Sequence, residues 1–395
     1  MFEYFPDNYT WSLAIMIALG SDSVNMTEID DACRPLKEIA KRNDEAAQEA
    51  WYESWKRVAE RVENLAIRDK EAGHNLSSGR KFLRACVYYL LADRMVSNRD
   101  PRKIEIYTRA LGAFKKGVQL RGDPVEFVEV PFQNSLSLPA LFVPALGTGP
   151  APCIIHFDGF DVLKETIYLN NVGTAFRRRG ISLLIVDHPG VGEALRLRNM
   201  PLSPETEVPA AACVDYLEGR SSDVDPERIG IMAVSMGGYY APRAAAFEKR
   251  LKCCVAWGAM WDAGENLERT YGSGPGKTRS VPPFQLLWVF GKKTVEEALE
   301  VAKRMTLDGV ADKITCPLLV MHGENDRQVP LSHAEKTIEA AVNSPGRKLK
   351  VFTPAEGGAE HVQVDNDTLA IDYAADWVAE TLGAYPKGVG WGPLK

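Results

Sequence analysis

The sequence predicts an α/β fold: a mostly parallel sheet with helices on both faces, preceded by an all-helical block. Three observations carry this. Beyond Gly122, short runs rich in Val, Ile and Leu alternate with longer stretches of helical spacing, the pattern of strand–crossover–strand units. Before Gly122, apolar residues recur at intervals of three and four, and no alternating Val/Ile run interrupts them. The chain has 395 residues, 45% of them apolar, which suits a large core carrying an extra domain.

The helical unit spans residues 1–121. Its opening apolar run, Trp11–Leu19, follows Glu3 and Asp7 with no basic leader. It therefore reads as a buried lid segment and not as a secretory signal. Within Ala46–Ile67, the residues Ala50, Trp51, Trp55, Val58, Val62 and Leu65 fall on one helical face. Phe82, Leu83, Cys86, Val87, Leu90 and Leu91 mark a second helix. Asp100 can cap a third, with Pro101 in its first turn.

The catalytic unit spans residues 122–395. It opens with paired strands, Val125–Phe132 and Leu136–Val143, around Gln133-Asn134-Ser135. Strands follow at Cys153–Phe157, Ser182–Val186, Ile229–Val234, Cys253–Trp257, Pro317–Met321 and Lys348–Phe352. Helices fit at Lys164–Arg179, Pro204–Leu217, Met236–Phe247, Ser332–Ala341 and Thr368–Leu382. The alternation lapses at about 260–313, which reads as a cap insertion over the C-terminal edge of the sheet.

The most informative segment is Ile229-Gly230-Ile231-Met232-Ala233-Val234-Ser235-Met236-Gly237-Gly238. A buried strand runs into a serine, two glycines and an alanine-rich helix. Small residues two before and two after the serine let strand and helix approach closely, as a nucleophile elbow requires. Here they are Ala233 and Gly237, so the usual G-x-S-x-G becomes A-x-S-x-G. The turn would aim the Ser235 hydroxyl away from the sheet and offer the Met236 N–H to an oxyanion.

Such a serine belongs to the α/β-hydrolase fold, whose chain order is serine, acid, histidine. Of the six histidines, His74, His156 and His188 precede Ser235. His322 ends a strand and His333 falls in a helical turn. His361, in a glycine-bearing loop between the last strand and last helix, is the expected base. Asp326, on the loop after Pro317–Met321, is the expected acid. Its rivals are Glu324, close to the strand end, and Asp262, one strand earlier. The second oxyanion donor should come from the loop after Cys153–Phe157, at the Phe160 N–H, with Gly159 and Asp161 as neighbours able to replace it.

The net charge of −6, with no basic block, argues against nucleic acid as a partner. Seven scattered cysteines without metal-like spacing point to no metal and to a reducing, cytoplasmic setting. No run reaches the length of a membrane span, and no cofactor is expected. Gly272–Thr278 resembles a phosphate loop, but Tyr271 occupies its first glycine position; Leu195 spoils the Gly190-Val191-Gly192 dinucleotide pattern.

Several stretches together resemble one branch of the α/β-hydrolases, that of 2,6-dihydropseudooxynicotine hydrolase and the polyketide-shortening hydrolases of pigment biosynthesis. They are Tyr9-Thr10-Trp11, Ser78-Gly79-Arg80-Lys81-Phe82-Leu83-Arg84-Ala85, Gly159-Phe160-Asp161-Val162-Leu163-Lys164-Glu165, Asp187-His188-Pro189-Gly190-Val191-Gly192-Glu193 and Ser235-Met236-Gly237-Gly238-Tyr239-Tyr240. The resemblance implies hydrolysis of a carbon–carbon bond next to a ketone in a polyketide-like small molecule. It also implies a homodimer and a helical domain that closes the pocket. It makes Glu165 an assisting catalytic group; the residue-level alternative is a carboxylate favoured at a helix N-terminus. Relatives that act as esterases, thioesterases or acyltransferases keep those reactions open, and a non-catalytic receptor on the same scaffold is the rival of another class. Tyr9, Trp11, Asp161, Tyr239 and Trp261 are the substrate-binding candidates. The aromatics of the block and of the insertion, including Phe284, Trp288 and Phe290, could line an apolar pocket, although at least half are expected simply to pack the lid.

Overall fold

The helices that open the chain are built on buried aromatic faces. A computed structural model describes residues 2–42, 44–160, 162–272 and 278–386. It begins with α1 (Tyr9–Leu19), α2 (Met26–Cys33), α3 (Glu45–Glu71), α4 (Asn75–Arg94) and α5 (Arg102–Arg121). Asp44 caps α3 by accepting the Ala47 N–H at 2.9 Å. The spaced residues Trp51, Trp55, Val58 and Val62 are all buried, whereas Leu65 is exposed and Ala66 takes its place. Successive ring contacts run from Phe5 through Trp11, Trp51 and Trp55 to Tyr88, with centroids 4.7 to 5.7 Å apart. Stacked and edge-on aromatics of this kind add to the large apolar area that they bury.

Among the described residues eight strands form one sheet, in the order β1-β2-β4-β3-β5-β6-β7-β8. They are β1 (Glu126–Pro131), β2 (Ser137–Val143), β3 (Ala151–Phe157), β4 (Ser182–Val186), β5 (Val224–Val234), β6 (Cys254–Trp257), β7 (Leu318–Gly323) and β8 (Lys348–Phe352). β2 is antiparallel to both β1 and β4, and the rest pair in parallel. Successive strand residues face opposite cores: Ile154 and Leu183 pack towards the helical block, Ile155 and Leu184 away from it. Burial on both faces explains why these strands read as unbroken apolar runs.

The helices between strands are α6 (Lys164–Leu169), α7 (Val172–Arg178), α8 (Gly192–Arg196), α9 (Glu207–Glu218), α10 (Gly237–Phe247), α11 (Ala263–Tyr271), α12 (Pro283–Val289), α13 (Val295–Ala302), α14 (Ser332–Ala340) and α15 (Asp367–Leu382). The single helix expected over Lys164–Arg179 is broken at Asn170 and Asn171, the latter with φ 62°. α11, α12 and α13 fall between β6 and β7, where the alternation lapses. α7, α15 and the N-terminal helices share one apolar core with the sheet, so the block packs directly on the hydrolase body. No helix among the described residues is long and apolar enough to cross a membrane.

Candidate active site

β5 ends at Val234 and α10 starts at Gly237, so the chain reverses within two residues. Ser235 absorbs the turn at φ 61°, a left-handed conformation that costs a non-glycine residue about 1 kcal/mol or more. Its N–H donates to the Trp257 carbonyl at 2.7 Å and its carbonyl accepts the Gly238 N–H at 2.8 Å. The closeness of strand and helix is visible at Gly237, where an added Cβ would lie 2.5 Å from the Ala233 Cβ. The two small positions flanking the serine therefore face each other.

Ser235 Oγ lies 2.8 Å from His361 Nε2, and His361 Nδ1 lies 2.7 Å from Asp326 Oδ2. The second Asp326 oxygen accepts the N–H groups of Gln328 and Val329 at 2.8 and 2.9 Å. Burial pushes this carboxyl up, but the adjoining His361 and the donated hydrogen bonds outweigh it and hold the group below its ordinary value. His322 braces the same loop from beneath: Nε2 donates to the Val329 carbonyl at 3.0 Å, and Nδ1 accepts the Ala259 N–H at 3.2 Å. The residues after the imidazole are also in left-handed conformations, Val362 at φ 46° and Gln363 at φ 54°. Gln363 Oε1 accepts the Trp257 indole N–H at 2.8 Å, tying the histidine loop to β6.

The rivals for base and acid have other duties. His333 Nδ1 accepts the Trp261 N–H at 3.1 Å, and Asp262 caps α11 by accepting the Glu265 N–H at 2.8 Å. Glu324 is exposed. The loop after β3 passes against the serine: a Cβ added to Gly159 would lie 2.9 Å from the Ser235 Cβ and 3.6 Å from its Oγ. Phe160 follows at the wall of the same pocket as Ser235 and His361. The N–H groups of Met236 and Phe160 are thus on the two turns that flank the hydroxyl.

Behind the Phe160 loop is a buried ionic knot. Lys164 Nζ lies 2.7 Å from Asp187 Oδ2, 2.8 Å from Glu165 Oε1 and 3.3 Å from Glu193 Oε2. Burial would lower the Lys164 pKa, but these carboxylates together raise it. Glu165 is fully buried, and burial raises its carboxyl above the ordinary value although Lys164 pulls the other way. Its contact with Lys164 has the length of an ion pair, but Glu165 makes no well-directed hydrogen bond.

The pocket above the serine measures about 760 Å³ including its open mouth. Leu13, Met16 and Ile17 of α1 form its roof, opposite Phe160, Val234 and Trp257 of the hydrolase body. Several sequence expectations shift here. Glu165 does not line this pocket, because the knot with Lys164 holds it inside the protein. Trp11 does not line it either, being 3% exposed and stacked at 4.7 Å on Trp51 in the lid core. Tyr239 is fully buried, its hydroxyl donating to the Pro204 carbonyl at 2.9 Å. Trp261 packs with the insertion on the far side of the sheet. Tyr9 acts at one remove: its hydroxyl accepts from Gln328 Nε2 at 3.0 Å, and the Arg327 guanidinium covers its ring at 4.6 Å. Asp161, like Ser273–Lys277 of the discarded phosphate loop, is outside the described residues. Gln328, Val362 and the α1 residues had no sequence signature, since their place follows from how lid and body meet.

The comparisons agree with this architecture. A family profile described as esterase FrsA-like matches residues 41–264, and one described as the prolyl oligopeptidase family matches residues 189–384. Alpha/beta hydrolase xenA of Xenoacremonium sinensis is 28% identical over 91% of this chain and 93% of the relative. Hydrolase ORFZ of Pyricularia oryzae is 30% identical over 78% of this chain and 82% of the relative. The 2,6-dihydropseudooxynicotine hydrolase of Paenarthrobacter nicotinovorans is 27% identical over 87% of this chain and 88% of the relative. A crystal structure of the 2,6-dihydroxy-pseudo-oxynicotine hydrolase superposes with a TM-score of 0.73 at 24% identity, over 96% of this chain and 99% of that one. The shared fold, the matched profile and these relatives lead to one conclusion: the chain belongs to the FrsA-like esterase family of α/β-hydrolases and is a hydrolase.

Proposed function

We propose that this hydrolase cleaves a carbon–carbon bond next to a ketone, with Ser235 as nucleophile, His361 as base and Asp326 as the group that orients it. The observation that carries the reading is the unbroken relay of 2.7 and 2.8 Å from Asp326 through His361 to Ser235, opening into an apolar pocket. Ser235 Oγ attacks the ketone carbon as its proton passes to His361 Nε2. The carbonyl oxygen becomes an oxyanion held by the Met236 and Phe160 N–H groups. Collapse breaks the bond to the α-carbon, which leaves with the electron pair as an enolate and takes the proton from His361. Water, deprotonated by the same imidazole, then frees the acid from the acyl-serine. The relative named 2,6-dihydropseudooxynicotine hydrolase supports a small ketonic substrate of this kind. With Glu165 outside the pocket, His361 alone handles the protons.

The matched esterase family favours a second reading, hydrolysis of an ester or thioester, or acyl transfer, by the same groups. Incubating the protein with β-diketones, aryl esters and thioesters, each followed by mass spectrometry, separates the reactions; transfer to an alcohol would appear as a new ester. Ser235→Ala should lower turnover of the preferred substrate roughly 1,000-fold or more and abolish labelling by a fluorophosphonate probe. Undiminished turnover by that variant would remove the serine from the mechanism. The family resemblance also implies a homodimer, which sedimentation velocity tests.

A further inference from the structure

The pocket above Ser235 continues into a second cavity between α4 and α6. The two share Ile17, Arg94, Val162, Thr166 and Asn170, so they form one cleft with Ser235 at one end. Its walls are mostly apolar, with Val87, Leu90, Leu91, Leu163 and Leu169 around the far end. Two guanidinium groups, those of Arg94 and Arg196, line this otherwise greasy space. Arg94 ends α4, and its Nη2 donates to the Ser280 carbonyl at 2.9 Å, which fixes the side chain on the wall common to both cavities.

Charge around the far end is unbalanced. Asp93 Oδ2 accepts from Arg196 Nη2 at 2.8 Å and from Lys103 Nζ at 3.0 Å, so one carboxylate already answers to two buried cations. Arg196 is held flat between Tyr107 and Trp288, 5.0 and 5.3 Å from their centroids. The only other carboxyl on the cleft wall, among the described residues, is Asp367, which burial pushes up to about 6 and so makes a weak counter-charge. An excess of cations in a low-dielectric cleft attracts an anion strongly. A guanidinium suits two oxygens side by side.

We infer that the cleft selects substrates carrying a paired anionic oxygen group, a carboxylate or the ionised enol of a β-diketone, which Arg94 binds directly while Arg196 and Lys103 supply positive potential behind it. This rests on the reading that the reacting carbonyl sits at Ser235, and it adds the substrate's charge to that reading. Arg94 is a specificity-determining residue here, and its role is separate from the proton transfers at His361.

Binding to an unreactive variant tests the inference without depending on turnover. Ser235→Ala, Ser235→Ala with Arg94→Met, and Ser235→Ala with Arg94→Lys are titrated calorimetrically with two matched pairs of probes. One pair is phenylpentanoate and its methyl ester; the other is benzoylacetone, at a pH where its enol is partly ionised, and its α,α-dimethyl derivative, which cannot enolise. The anionic member of at least one pair should bind more tightly, Arg94→Met should cut that preference about tenfold or more, and Arg94→Lys should keep part of it. The pair that responds identifies the anion. No preference in Ser235→Ala, a preference that survives Arg94→Met, an equal loss for both members of a pair, or no binding by any probe would each overturn the inference. Turnover persisting in Ser235→Ala would instead count against the serine reading, while the binding ratio still reports on Arg94.

Discussion

His361 Nδ1 lies 2.7 Å from one oxygen of Asp326, while the other oxygen takes two backbone N–H groups of the same loop. The carboxylate is thus fixed in orientation before it meets the imidazole, and it selects the tautomer whose free Nε2 can accept the Ser235 proton. Asp326→Asn should lower kcat roughly 1,000-fold or more with a small change in KM, because an amide can hold the ring in the wrong tautomer. Steady-state kinetics beside a circular-dichroism check of folding measures this. A loss of less than tenfold would mean that the imidazole needs no such partner.

The buried knot at Lys164 makes a contrasting pair of predictions. Lys164→Met leaves Asp187, fully buried, without its ammonium, and Glu165 and Glu193 lose it too. Breaking a buried ion pair from one side costs about 3–5 kcal/mol, which urea unfolding would register. Glu165→Gln keeps the shape of a carboxyl that burial already pushes towards its neutral form. It should change kcat by less than about tenfold, a barrier change near 1.4 kcal/mol. A fall of several hundredfold in kcat, with stability intact, would return Glu165 to the chemistry as a proton-transfer group.

Ser235, Asp326 and His361 were legible because each sits on local chemistry that a sequence displays: a small-residue turn after a strand, and glycine-bearing loops after later strands. The strands read well for a similar reason, since double-sided burial produces continuous apolar runs. The cleft was not legible. α1 is buried along almost all of Trp11–Ala18, so its composition does not say which side meets the body. Trp11 turned out to face the lid core, and Leu13, Met16 and Ile17 the pocket. The break in the helix after β3 carried a readable sign, the pair Asn170-Asn171, since asparagine tolerates the left-handed conformation. The use of that break appears only in three dimensions: Asn170 Nδ2 donates to the Ile17 carbonyl at 3.2 Å and joins body to lid.

This division within α1 gives a third prediction. Trp11→Ala removes a ring from the aromatic column and should cost about 3–5 kcal/mol of stability, with KM unchanged below the melting transition. Met16→Trp fills the pocket roof instead, and it should raise KM at least several-fold with little change in melting temperature. Kinetics and thermal unfolding on both variants check the pair. Exchange of the two phenotypes would mean that α1 presents its other face to the cleft.

Asp367 supplies a pH dependence whose sign follows from its surroundings. It opens α15 at the pocket wall, beside Asn170 and Gly20; a Cβ added to Gly20 would stand 2.3 Å from its Oδ2. Burial raises its pKa from 3.8 to about 6, and the hydrogen bonds from Thr368 and Asn170 only partly oppose this. The folded chain then holds the proton more tightly than the unfolded chain. Its contribution to stability is complete below pH 3.8 and disappears as pH climbs through about 6. A shift of this size corresponds to about 3 kcal/mol at neutral pH. Asp367→Asn has no such penalty, so it should melt at the same temperature as the parent near pH 3.8 and several degrees above it at pH 8. Melting curves collected across that range decide the matter: a gap that stays constant with pH would show that the carboxyl titrates alike in the folded and unfolded chain.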